Sequence, residues 1–94
     1  MYRISPTKSF KKSLAKLKNS GIKKSLLEEI TYTINTLAAG KILPIKYKDH
    51  QLTGDLAAYR DCHITSDMIL IYKIEKKELI LLLIDIGSHS NLFR

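Results

Sequence analysis

The sequence holds three histidines, and each stands in polar company: Asp49-His50, Asp61-Cys62-His63 and Ser88-His89-Ser90. An imidazole with a pKa of about 6.5 can hold or release a proton near neutral pH, which suits it to general acid–base work. RNA cleavage asks for little more. It proceeds without a metal when the 2′-hydroxyl attacks the adjacent phosphate. The step needs a base for that hydroxyl, an acid for the leaving 5′-oxygen and positive charge for the crowded phosphate. Histidines with a carboxylate and nearby Lys or Arg can supply all three. Zinc binding competes for the same residues, since three histidines and an aspartate could hold the ion. No HxH or HExxH spacing is present, however.

Other chemistries are poorly served. The single cysteine, Cys62, excludes an internal disulfide and a cysteine-cage zinc site within one chain. Strand alternation groups it with Ala58 and Ile64, so it reads as a small buried hydrophobe. Ser88 and Ser90 flank His89 without a nucleophile-elbow glycine pattern. The four glycines, Gly21, Gly40, Gly54 and Gly87, are isolated, so there is no phosphate-binding loop. Phe93 is either a base-stacking platform or a residue that folds back on the core.

The elements that carry these residues can be read from periodicity. Tyr2-Arg3-Ile4 reads as a short strand. Ser5 then caps a helix whose first position is Pro6, with Phe10, Leu14 and Leu17 at helical spacing. Asn19-Ser20-Gly21 is a break, and Ser20 is placed to cap a second helix. That helix carries Ile22, Leu26, Leu27, Ile30, Ile34 and Leu37 on one stripe and stops at Gly40. The stretch from Ile42 to Asp55 is irregular and holds His50. Ala57 to Ile64 alternates, with Tyr59, Asp61 and His63 on one face. Met68–Ile74 and Leu79–Ile86 read as buried strands joined by the turn Glu75–Glu78, and Gly87 ends the second. A strand, two helices and a three-strand meander give an α+β domain with the helix hairpin on one sheet face.

At 94 residues the chain is one domain, spanning 1–94, with room for one modest core. The first eighteen residues are too polar for an export signal, and no apolar run approaches the length of a membrane helix, so a cytoplasmic location is expected. The formal charge is +7 and is lopsided. Residues 1–48 hold eleven Lys and Arg against Glu28 and Glu29 alone, whereas residues 49–94 hold five against seven acids. Such a basic half points to a polyanion or an acidic protein partner, or else to plain solvated helix faces.

Four blocks now stand in order: Tyr47-Lys48-Asp49-His50-Gln51-Leu52-Thr53-Gly54; Tyr59-Arg60-Asp61-Cys62-His63-Ile64 with Asp67; Ile69-Leu70-Ile71-Tyr72-Lys73; and Gly87-Ser88-His89-Ser90-Asn91-Leu92-Phe93. Together they resemble the YafQ-type toxins of the RelE/ParE superfamily, over half of the chain. The resemblance implies a RelE-like fold, with an N-terminal strand and a two-helix hairpin packed on a mainly antiparallel sheet of four to five strands. It implies a type II toxin, an endoribonuclease that cuts messenger RNA on translating ribosomes and so inhibits translation, with no cofactor and no metal. The partners it implies are a small acidic antitoxin encoded beside the toxin, the ribosome with its mRNA, and operator DNA bound only by the toxin–antitoxin complex; no membrane is involved. The family's catalytic positions fall on His50, His63, Asp67 and His89, its aromatic falls on Phe93, and Lys48, Arg60 and Phe93 are expected to bind RNA. A first assignment makes His50 the base and His89 the acid, with His63 and Arg60 near the phosphate and Asp67 orienting a histidine. Where the family often has tryptophan after the aspartate, this chain has Met68, which can pack under a base but cannot stack as a flat ring does. Two rival readings keep the fold or the charge without the chemistry: a ParE-like toxin that binds DNA gyrase, and an inactive basic RNA-binding module.

Overall fold

A computed structural model describes residues 1–93. The strands β1 (Arg3–Pro6), β2 (His50–Gln51), β3 (Arg60–His63), β4 (Met68–Glu75) and β5 (Ile80–Ser88) form one sheet in the order β1-β5-β4-β3-β2. Only β1 against β5 is parallel; the other pairs are antiparallel. Helices α1 (Lys8–Asn19) and α2 (Lys24–Ala38) form the hairpin, and the short α3 (His89–Leu92) follows β5 directly. No described helix is long and apolar enough to cross a membrane.

The core lies between the hairpin and one sheet face. Phe10, Ile30 and Leu37 from the helices meet Cys62, Leu70, Tyr72, Leu81, Leu83 and Ile86 from the strands, with Leu43 and Tyr47 closing the end. Register explains which strand residues take part. Cys62 pairs with Leu70 and Leu70 with Ile86, so all three share the helix-facing side. The adjacent rows, His50–Asp61–Ile71 and His63–Ile69–Gly87, fall on the opposite side. A bulge between Ile71 and Tyr72 shifts the register against β5.

Several element ends differ from the sequence reading. The first strand runs on through Ser5 and Pro6. Thr7 caps α1 instead, its hydroxyl accepting from the Phe10 amide at 3.2 Å. That hydroxyl also lies 2.9 Å from the carbonyls of both Leu83 and Ile84, so one residue caps the helix and fastens it to β5. Pairing with β5 is what extends the strand: three backbone positions of Ser5 and its neighbours gain partners that a helix start would forgo. Ser20 closes α1 rather than opening α2, donating to the Leu17 carbonyl, and α2 starts from Lys23 with no side-chain cap. Gly40 does stop α2, at φ +77. The irregular stretch contains the two-residue β2, while Ala57 and Ala58 stay outside β3. Gly87 lies inside β5, where a side chain would meet Leu92 at 3.5 Å.

Candidate active site

Tyr47 anchors the segment that delivers the first histidine. It is buried, and its hydroxyl donates to Glu29 Oε2 on α2 at 3.0 Å. The one-turn helix Ile45–Tyr47 then ends at Lys48, which takes a left-handed conformation at φ 49 and ψ 39. This bend brings the Lys48 carbonyl back onto His50, 2.7 Å from Nδ1. The same nitrogen lies 3.2 Å from Asp61 Oδ1, the cross-strand partner of His50. A carbonyl can only accept, so Nδ1 carries the hydrogen, and in the neutral ring Nε2 keeps its lone pair. The His50 side chain is 53% exposed, which leaves that lone pair open to a substrate.

Asp61 is 3% exposed, and its Oδ1 makes no hydrogen bond because the Nδ1 hydrogen points at the carbonyl. Burial pushes this carboxyl above the ordinary carboxylate range, and His50, His63 and His89 pull it back. His50 of β2 is the histidine in contact with it, at 3.2 Å; His63 ends β3 and His89 opens α3.

The remaining candidates are spread over several places. His63, Lys46 and Lys48 line a cleft of about 380 Å³ with Thr65 and Ser66. His89 is exposed, and its ring centroid lies 5.0 Å from that of Phe93, tilted by 44°. Asp67 is exposed in the bend between β3 and β4. Met68 packs against the core cluster. Arg60 shares a row with Tyr72, away from the histidine rows. Its Nε lies 3.4 Å from Asp49 Oδ1 and 3.3 Å from the Tyr72 hydroxyl, which itself donates to Asp49. Burial and the bond to Asp49 push the Tyr72 phenol up. Arg60 is thus held by a carboxylate and a phenol, with its side chain 39% exposed.

Sequence reasoning missed Asp61 as a site residue. It stands in the same motif as His63, and its alternation with Cys62 put it on the polar side; nothing in that pattern marks a carboxylate that cross-strand packing has buried. Cys62 is wholly buried, as its spacing indicated, and burial pushes its thiol far up. Among the described residues, no group of three or more His, Cys, Asp or Glu side chains is arranged to hold a metal ion.

A family described as a bacterial toxin of type II toxin–antitoxin system, YafQ, matches residues 2–94. The mRNA interferase toxin YafQ of Escherichia coli K12 is 47% identical over 51 residues, 54% of this chain and 53% of that protein, so the match spans about half the length of that relative. Two solved structures cover nearly the whole domain. A metal-bound toxin from Helicobacter pylori has a TM-score of 0.84 at 41% identity, over 99% of this chain and 100% of that one. A chain of the E. coli DinJ–YafQ toxin–antitoxin complex has a TM-score of 0.84 at 29% identity, over 99% of this chain and 98% of that one.

Proposed function

We propose that this chain, which belongs to the YafQ family of bacterial toxins of type II toxin–antitoxin systems, is an endoribonuclease that cuts messenger RNA on translating ribosomes in the cytoplasm. The relative named an mRNA interferase supports the activity. The observation that supports the mechanism is the exposed His50, its Nδ1 held by the Lys48 carbonyl beside the buried Asp61.

His50 Nε2 takes the proton of the 2′-hydroxyl. The oxygen attacks the adjacent phosphorus, and the bond from phosphorus to the 5′-oxygen breaks. His89 gives a proton to that leaving oxygen, so the products are a 2′,3′-cyclic phosphate and a 5′-hydroxyl. His63, with Lys46 and Lys48 along its cleft, steadies the phosphate as negative charge builds. Arg60 adds positive charge at longer range, Asp67 is an exposed carboxylate in the bend after β3, and Phe93 offers a stacking face beside His89. No step in this scheme is routed through a metal.

A small acidic antitoxin encoded beside the toxin masks the site, and the complex, not the free toxin, binds operator DNA. The solved DinJ–YafQ complex supports such a partner. The decisive experiment is in vitro translation with primer extension on the message. Discrete cuts within codons by the free chain, and none by the purified complex, are expected. Equal cutting by free chain and complex would reject masking; translation arrest without cuts would reject the nuclease. Metal analysis of the purified toxin belongs beside it, given the metal-bound relative: a stoichiometric ion would turn the histidines from acid–base groups into ligands.

A further inference from the structure

We propose that Asp61 is a positioning residue for His50: together with the Lys48 carbonyl it keeps the hydrogen on Nδ1, so that Nε2 meets the RNA as a base, and its charge then steadies the imidazolium. The proposal rests on the nuclease reading and adds to it the group that sets the base's tautomer and strength.

Asp61 cannot act on substrate directly. It is 3% exposed and sits beneath the surface that His50 presents. Its backbone is committed to the sheet on both sides, to His50 of β2 and to Ile71 of β4, so the carboxylate has a fixed address. A buried carboxylate oxygen without a hydrogen bond is rare in folded proteins and calls for an explanation. Here the oxygen lies 3.2 Å from the one nitrogen whose state governs whether Nε2 can take a proton. The groups that face it are His50 from β2, His63 on its own strand, His89 from α3 and Asp49 from the preceding loop. Three of these four are bases that gain positive charge, so the carboxylate is set among groups it can stabilise when they do.

The timing follows from the geometry. In the resting site, the Nδ1 hydrogen points to the Lys48 carbonyl at 2.7 Å. When Nε2 takes the 2′-hydroxyl proton, the ring becomes a cation with a carboxylate at 3.2 Å. The attraction therefore grows as the proton moves, which favours the transition state over the ground state. A turn of the ring by a few degrees shares the Nδ1 hydrogen between the two acceptors.

Asp61→Asn tests this without changing the side chain's shape. The kcat for cleavage should fall about 10-fold to 10²-fold, part of the range for a whole acid–base group, with KM within about twofold. The acid limb of the kcat profile should move to lower pH, because a neutral amide no longer favours protonated His50. An unchanged kcat with an unchanged acid limb would overturn the proposal, as would a change in KM alone. The second measurement needs neither RNA nor the variant: nitrogen-15 NMR of the full wild-type chain should show neutral His50 with its hydrogen on Nδ1 and should show the Nδ1 resonance moving as Asp61 titrates. A neutral ring protonated on Nε2, or one indifferent to Asp61, would overturn the proposal even if Asp61→Asn fails to fold. Should the chain cut no RNA at all, the nuclease reading falls alone, and the spectrum still decides the positioning.

Discussion

Replacing Asp61 by Asn should stabilise the fold even as it weakens the site. The wild-type carboxylate is buried, and an ionised group costs more to bury than a neutral amide of the same shape, although the amide keeps one acceptor and adds two donors that need partners. Attraction to His50, His63 and His89 offsets part of that cost, so the net gain from neutralising the group should be about 1 kcal/mol near neutral pH. For a domain of this size, that raises Tm by about 4–8 °C. The pH dependence has a definite sign. Burial raises the carboxyl pKa in the folded state, so the folded chain binds a proton at a pH where the unfolded chain does not. The penalty is present in full above the raised folded value and disappears as pH falls towards the ordinary carboxylate range. Histidines that charge in acid act in the same direction, since they give the carboxylate partners that an amide cannot use. Thermal melts of both proteins near neutral pH and at about pH 4 make the test. The variant should melt higher at neutral pH, and the gap should close in acid. A variant that melts lower at neutral pH, or a gap indifferent to pH, would refute the account of Asp61 as a strained buried charge.

His50→Ala and His63→Ala should each lower cleavage on programmed ribosomes by about 10²–10⁴, while thermal melts of the exposed His50 variant stay within about 0.5 kcal/mol of wild type; full activity in either would remove that histidine from the mechanism. Thr7→Ala should cost about 2 kcal/mol in urea unfolding, the sum of a lost cap and a lost bond to β5, whereas Ser5→Ala should cost less than about 0.5 kcal/mol; the reverse order would restore the helix start to Ser5. Changing Lys11, Lys12 and Lys16, all exposed on α1, together to Gln should weaken ribosome binding and flatten its salt dependence without unfolding the chain; an unaltered salt slope in a binding assay would show that this face does not meet ribosomal RNA.

The helix hairpin and the long strands were legible because apolar residues recur at the right spacing. Ile30 and Leu37 point inward as their stripe requires, and Leu70 and Ile86 as buried strands require. Helix starts were not legible. Ser5-Pro6 has the local chemistry of a cap, but its backbone is claimed by a strand more than seventy residues away, and local rules do not see that partner. Nor could alternation find β2, two residues long and defined only by its pairing. The histidines were visible as residue types in polar surroundings. The buried carboxylate beside His50 was not, because Asp61 lies on the polar side of the alternation and is nonetheless buried. Arg60 shows the opposite case: its motif suggested a phosphate contact, while cross-strand pairing gives it Asp49 and Tyr72.

The parallel pairing of β1 with β5 has a consequence for how the protein is made. Thr7 reaches the carbonyls of Leu83 and Ile84, across 76 and 77 positions of chain. Everything up to α2 can collapse early, but β1 has no strand to join until residues 80–88 have been synthesised. At about 5–20 residues per second, the first strand waits several seconds for its neighbour. His89 follows that neighbour at once, so a chain that has not yet made β5 also lacks the acid of the proposed reaction. Until β5 is made, β1 is left without its sheet neighbour.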